Sequence, residues 1–363
     1  MPPEIGVEVS APSKLILHGE HGVVYDKLAV AGSLDLRTRM TILRRSKRLV
    51  VDFPDIGVLK ESWGPKDLEP LFEEESRIED IIPKLLPDSR DPIQIASLKC
   101  FFYLYKRILG RFLGLYISVE SDIPIGAGLG SSAALSVCLA AGLLTMNGHK
   151  NASDPEVISK YAFLSEKILH GSPSGIDNSV SAHGGLIAFK KGSLKQLVAP
   201  FDIRVLLVES GVSRNTKKIL EGVRERLSSS PKVIESLLQG INEISEDFIE
   251  LIKDLGEPLP EDFVALEDLI HRNHSLLRAL GVSHPRLEEI ISVSEGLNFR
   301  GGKLTGAGGG GFAFILIPPS AGPSRVQNLI SALEDRGFER PRLSSIGVDG
   351  VRIKRIISSE EDE

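Results

Sequence analysis

The sequence predicts a two-domain chain in which strands and helices are mixed, and three observations predict it. At 363 residues, 42% hydrophobic and 25% charged, the chain suggests two substantial cores. Residues 5 to 45 read as strands, whereas residues from Ser213 to beyond Pro285 read mainly as helices. Between them, Gly114 to Met146 runs as strand, glycine loop and helix.

That central stretch organises the rest. Leu115, Ile117 and Val119 alternate as in a half-buried strand, and Pro124 marks a turn. Gly126, Gly128 and Gly130 follow, then the hydroxyls of Ser131 and Ser132, then a long Ala- and Leu-rich run. The run is too long for one strand and reads as a buried helix. Glycines let backbone approach a ligand closely. The first turn of the helix offers unpaired N–H groups and the positive end of its dipole. Ser131 or Ser132 is expected to cap the helix, and one of them could reach a metal ion. The pattern suits phosphate, although a tight turn into a core helix would also produce it. It is not a Walker A loop, which needs Lys after the glycines, nor a dinucleotide fingerprint, which needs Gly where Ser131 stands.

Composition narrows the function classes. A net charge of −6 argues against a general nucleic-acid or anionic-membrane binder. The two cysteines, Cys100 and Cys138, stand in apolar surroundings and read as buried thiols. Met1 leads into Pro-Pro-Glu with no basic and apolar block, so no signal peptide is expected. No uncharged stretch is long enough to span a membrane. A cytoplasmic protein is the simplest account.

Taken in order, IGVEVSAP, SKLILHGEHGVVYD and LAVAGSLDLRTRMTIL are three strand segments. The second is interrupted by His18-Gly19-Glu20-His21-Gly22, an unusual loop for a mere connection. Lys14 and Glu20, each taken alone, read as solvent-facing side chains. HGEH lacks the HExxH spacing of a zinc protease. Residues 65 to 92 are charged and proline-punctuated, as in a surface excursion, and 93 to 110 form a helix with an aromatic core stripe. Asn151 to Pro155 start a helix that runs to about Leu169 and carries Glu166 near its C-terminal end, an unfavourable place for a carboxylate without a cation partner. HGSPSGIDN follows, with Asp177 either a turn or cap residue or a catalytic carboxylate. Lys190 to Pro200 is a linker candidate. Ser213-Arg214-Asn215-Thr216 opens the helical region; His271 and His274 lie one turn apart there with no third ligand evident. GGKLTGAGGGGF then runs into the buried strand FAFILI, so its glycines are expected against another backbone or a ligand. A helix from about Arg325 to Gly337 and one strand from about Ser344 to Ile357 close the chain.

Four segments together carry a resemblance: APSKLILHGEHGVVY, PIGAGLGSSAAL, HGSPSGIDN and KLTGAGGGGF. In this order they resemble the GHMP small-molecule kinases, most closely the mevalonate kinase branch, over nearly the whole chain from about Val7 to Val351. LGVSHPRLEEI is similar to that branch as well. The resemblance implies an α+β, two-domain GHMP kinase fold. A ribosomal S5 domain 2-like N-terminal domain would span 1–195 and a ferredoxin-like C-terminal domain 196–363, with the active site in the cleft between them. It implies a kinase using ATP and Mg2+ to phosphorylate the terminal hydroxyl of mevalonate in isoprenoid and sterol precursor synthesis. The loop Gly126, Ala127, Gly128, Leu129, Gly130, Ser131 and Ser132 would wrap the ATP phosphates. Ser132 and Glu166 would hold Mg2+. Asp177 would be the base, with Lys14 beside it. Glu20, His21 and Thr216 would lie toward the substrate, and Asp55 and Ser121 near the nucleotide. A homodimer and inhibition by prenyl diphosphates at the ATP site are implied in the same way. Ser13 stands where a glycine is usual, Asp55 where an Asn is expected, and Ser213 where a Pro is expected. Other members of the superfamily act on phosphomevalonate, galactose or homoserine, and a non-catalytic ligand sensor is a further alternative.

Overall fold

The computed structural model describes residues 4–358 apart from 45–46, 74–77, 87–90, 125, 171–173, 199–201, 214 and 254–258. Part of HGSPSGIDN and Arg214 therefore lie outside the described residues. The chain opens with β1 (Glu4–His18), β2 (Ala29–Arg44), β3 (Leu49–Phe53) and β4 (Val58–Trp63). Helices α1 (Pro65–Leu68), α2 (Ile78–Leu85) and α3 (Pro92–Leu109) lead to β5 (Leu115–Ser121). Then come α4 (Ser131–Met146), α5 (Pro155–His170) and α6 (Ile176–His183), followed by β6 (Leu186–Lys190), β7 (Ser193–Leu197) and β8 (Ile203–Glu209). The helical region is α7 (Thr216–Ser229), α8 (Pro231–Lys253), α9 (Pro260–Ala279) and α10 (Pro285–Gly296). The chain closes with β9 (Gly302–Leu304), β10 (Phe312–Ile317), α11 (Pro323–Glu334), β11 (Arg342–Ile346) and β12 (Arg352–Ser358).

The strands form one sheet in the order β4-β3-β5-β2-β11-β8-β10-β9, with β1 and β6 also paired to the long strand β2. Two large apolar clusters lie on it, the first reaching from the N-terminal strands into α8 and α9 and the second built from residues 206–338, and a smaller third joins β2, α6 and β6. The strands β8 and β10 separate the two large clusters. Val205, Leu207, Phe312, Phe314 and Leu316 face the first cluster. Leu206, Val208, Ala313, Ile315 and Ile317 face the second. Because successive strand residues alternate in direction, a strand covered on both faces reads as a continuous apolar run, and FAFILI is such a run. Helix α4 is buried around most of its circumference, packed on β1, β2, α3, α5 and α6. Its Ala- and Leu-rich composition follows from that position.

Four features differ from the sequence expectations. Pro12 does not break β1, because a bulge between Pro12 and Ser13 absorbs it and the strand continues to His18. Residues 65–92 are not simply a surface excursion: Leu68, Leu71, Ile78, Ile81 and Ile82 are buried in the first core. The linker candidate contains β7, which pairs with β6. The closing strand is two strands parted by Gly347 to Val351, and β12 returns to pair with β1 from Glu4 to Ser10. The C-terminal sequence thus completes the N-terminal half of the sheet. Cys100 and Cys138 are buried free thiols, and burial pushes each up to about 12.

Candidate active site

Lys14 and Asp177 meet although they lie 163 positions apart in sequence. Lys14 lies just past the bulge in β1 and is buried. Its backbone N–H donates to Leu129 O at 2.8 Å, which ties the strand to the first glycine loop. Asp177 stands in the first turn of α6, and Lys14 Nζ lies 3.1 Å from its Oδ1. Two anchors hold the helix there. Ser181 Oγ donates to Pro12 O at 2.7 Å. Asn178 Nδ2 donates to Ser159 O at 3.1 Å and to Ser159 Oγ at 2.8 Å, fixing α6 on α5.

Gly130 closes the loop against this pair. Its φ is +82°, and a Cβ there would lie 2.9 Å from Lys14 Cγ and 3.8 Å from Asp177 Oδ2. Both the backbone conformation and the space demand glycine. Gly130 is also the N-cap of α4, with no side chain capping the helix. The expectation that Ser131 or Ser132 caps it is corrected: those serines occupy the first two helical positions instead. Their hydroxyls line a cavity of about 850 Å³ together with Gly126, Ser121 and Asp55. The uncapped N–H groups of the first turn are available to an anion. Leu135, Phe53 and Ile93 supply apolar wall to the same cavity. At its far end Ser121 N donates to Asp55 Oδ2 at 2.7 Å, and Ser121 Oγ shares a 3.0 Å hydrogen bond with Thr38 Oγ1. Ala127 and Leu129 are buried and anchor the loop from below.

Glu166 on α5 is buried, 4% exposed. Desolvation, and then the charge of Asp177, push its pKa up to about 8, against the pull of Lys14. Two carboxylates and one lysine leave this corner short of positive charge. Among the described residues no cluster of three His, Cys, Asp or Glu could hold a metal by itself. A hard divalent cation that shares its coordination with phosphates needs only one or two protein oxygens. Glu166, beside Asp177 and Lys14, offers one such oxygen.

The His18–Gly22 turn lies toward the C-terminal half. Glu20 is 1% exposed and pairs with the buried Lys303 of β9. Its other carboxylate oxygen accepts from Asn273 Nδ2 of α9 at 3.4 Å. His21, at φ +62° and ψ −44°, places Nε2 2.8 Å from Ala307 O. Burial pushes His18 well below the usual imidazole range, so its ring is neutral between Asn273 and Phe248. Ala307 belongs to the second glycine loop. Gly309 N donates to Val282 O and Gly311 N to Val212 O, so this loop packs on backbone. Thr216 is exposed at the start of α7, and Ile219 one turn on would touch a Cβ at Gly309. Among the described residues no hydrogen bond or ion pair joins Thr216 to Lys14 or Asp177.

The structure therefore gathers Lys14, Asp177, Glu166 and Gly130 at one corner. It gathers Asp55, Ser121, Gly126, Ser131 and Ser132 around the cavity, and Glu20 and His21 at the junction of the two halves. Lys303 and Asn273 were not singled out from sequence. Lys303 is the single charge in Gly301 to Ile317, a run that ends in a buried strand, and that signal could have found it.

A lysine–aspartate pair lies under a glycine loop that opens a buried helix, with a wide, mainly apolar cavity lined by the same loop. The chain belongs to the GHMP kinases: residues 96–185 match the GHMP kinases N terminal domain and 248–337 the GHMP kinases C terminal family. Within that family it is similar to mevalonate kinases. The human mevalonate kinase is 38% identical over 375 residues, which cover 95% of this chain and 94% of that protein. The Arabidopsis thaliana mevalonate kinase is 33% identical, covering 92% and 96%. In fold, the crystal structure of the Methanococcus jannaschii mevalonate kinase matches with a TM-score of 0.73 at 22% identity, covering 94% of this chain and 98% of that one.

Proposed function

We propose that the protein transfers the γ-phosphoryl group of ATP to the terminal hydroxyl of mevalonate, giving 5-phosphomevalonate and ADP. The observation that carries this reading is the Lys14–Asp177 pair held against Gly130, in a chain whose relatives of 33 to 38% identity are mevalonate kinases.

Phosphoryl transfer is chiefly positioning and charge neutralisation. Asp177 accepts the proton of the substrate hydroxyl as its oxygen bonds to the γ-phosphorus. The bond to the bridging β,γ-oxygen breaks, and ADP leaves. Lys14 offsets the charge of the transferring group. The segment Gly126 to Ser132 and the uncapped turn of α4 receive the phosphates, while Asp55 and Ser121 border the nucleotide. Ser132 and Glu166 would hold Mg2+, which would neutralise charge on the phosphates. His21 and the turn fixed by Glu20 form the substrate end, with Thr216 near the phosphate and the reacting hydroxyl.

The two domains are 1–195 and 196–363, with the last strand crossing back to the first. The protein acts in the cytoplasm, in isoprenoid and sterol precursor synthesis. It forms a homodimer, and prenyl diphosphates compete for the nucleotide cavity. Of the described helices, none is long and apolar enough to cross a membrane.

The test is Mg2+-dependent ADP release with mevalonate, phosphomevalonate, galactose and homoserine offered separately. Turnover with mevalonate alone is expected. Turnover with another alcohol would move the substrate, and silence with all four despite ATP binding would favour a ligand sensor.

A further inference from the structure

Glu20 and Lys303 are 283 positions apart in sequence, both fully buried, and paired with each other. Replacing a buried ion pair by apolar side chains is often neutral or stabilising, so such a pair is weak evidence of a stability role. Its surroundings suggest a different one. Lys303, Thr305 and Ala307 alternate along one segment, and each engages the same stretch of the N-terminal half. Lys303 takes Glu20. Thr305 Oγ1 donates to Ile16 O at 3.2 Å. Ala307 O meets His21 Nε2 at 2.8 Å. Three residues past Lys303 the second glycine loop begins.

The other end of the same stretch serves the first glycine loop, through Lys14 N and Leu129 O. Residues 14 to 21 are thus gripped by one loop at each end. At the second grip the turn carries His21 at φ +62°, a conformation that a non-glycine residue keeps only where its surroundings impose it. Asn273 braces the turn from α9 by bonding Glu20 and approaching His18 Nδ1 at 3.2 Å.

We propose that Lys303 is a positioning residue for phosphoryl transfer: by clamping Glu20 it holds the His18–Gly22 turn against the Gly306–Gly311 loop. The substrate end of the cleft is thereby kept in register with the Lys14–Asp177 pair. This deepens the reading given under Proposed function and rests on it for the identity of the substrate. Lys303 touches no reacting atom, so its effect runs entirely through the turn.

The experiment compares Lys303→Met, Lys303→Arg, Glu20→Gln and the double variant Glu20→Gln/Lys303→Met with the wild type, by two readouts. The first is amide hydrogen exchange of the ligand-free protein, which needs no activity. In Lys303→Met, residues 18–25 and 306–311 should exchange about tenfold faster together while 126–132 stays unchanged. The second is steady-state kinetics. A turn displaced by about 1 Å should lower kcat/KM for mevalonate by about 10²-fold and leave KM for ATP near that of the wild type. The double variant leaves no buried charge unpaired but still lacks the clamp, so it should lose as much as Lys303→Met; recovery to near the wild type would overturn the proposal. Exchange and kinetics both within twofold of the wild type would overturn the proposal. So would a uniform rise in exchange with equal shifts in both KM values, the mark of a purely structural staple. Should Lys303→Met fail to fold, Lys303→Arg and the double variant decide by the same criteria. If the wild type does not phosphorylate mevalonate, the functional reading fails, and the exchange readout still decides the clamp.

Discussion

Lys14 Nζ lies 3.1 Å from Asp177 Oδ1, joining a strand near the N-terminus to the first turn of α6. The lysine side chain is 8% exposed and the aspartate 35%. The pair is sheltered on the strand side and open on the side where a hydroxyl would enter. Asp177→Asn keeps the shape and removes the proposed base, and Lys14→Met keeps the stem and removes the charge. Each should lower kcat by about 10²-fold or more, the usual scale for acid–base loss. An Asp177→Asn enzyme with wild-type kcat would remove the aspartate from the mechanism.

Gly130 allows a test of how tightly the loop is fitted to that pair. Alanine there must take φ +82° and bring its Cβ to 2.9 Å from Lys14 Cγ. The strain should amount to about 1–3 kcal/mol. The lysine stem can yield by a few tenths of an ångström, so the protein should fold. The ammonium group would move with the stem, and kcat should fall at least about tenfold. A Gly130→Ala enzyme that is destabilised but turns over normally would show that the loop tolerates a displaced Lys14.

The site was legible in the sequence where its chemistry is local. Glycines followed by serines before an Ala- and Leu-rich run mark a loop entering a buried helix, and α4 is that helix. Asp177 reads as a turn or cap residue or a catalytic carboxylate, and it stands half-buried in the first turn of α6. Pairings across the chain carry no local mark. Neither Glu20 nor Lys303 reveals the other, because the contact is made only when β9 is laid beside the end of β1. The return of β12 to β1 is hidden for the same reason, since an amphipathic strand does not name its neighbour. Ser131 and Ser132 have the composition of caps, yet Gly130 in the left-handed region takes the cap position and turns the hydroxyls to the cavity. In the 65–92 segment the charges dominate the composition, while a few isoleucines and leucines at helical spacing do the packing.

The second glycine loop should respond to substitution differently from the first. A Cβ on Gly308, at φ +79°, would lie 2.0 Å from Val282 O. That atom is backbone, and it already accepts from Gly309 N at 2.8 Å, so it cannot move aside. Gly308→Ala should therefore destabilise the fold by more than about 3 kcal/mol or abolish soluble expression. Thermal melting and expression level check it. A Gly308→Ala protein with normal melting would mean that the loop is not packed on Val282.

Glu166 should lower stability in the absence of a cation. Burial and Asp177 raise its pKa from the ordinary 4.5 to about 8. Between those values the folded chain retains a proton that the unfolded chain has released. Stability therefore falls as pH rises from about 4.5 to about 8 and is level beyond, where both states are ionised. A shift of this size corresponds to a few kcal/mol at the upper end, on the order of 1.4 per unit. Glu166→Gln cannot ionise and escapes the penalty. Ligand-free Glu166→Gln should melt several degrees above the wild type at pH 8 and alongside it near pH 4. The same substitution should raise the Mg2+ concentration needed for half-maximal activity, because the wild-type carboxylate is held ready for a positive charge that glutamine does not attract. Higher stability with a greater Mg2+ requirement would identify a group placed for function against the fold. If Glu166→Gln instead melted lower at pH 8 with an unchanged Mg2+ titration, the carboxylate would be an internal structural anchor and the metal would have to be held elsewhere.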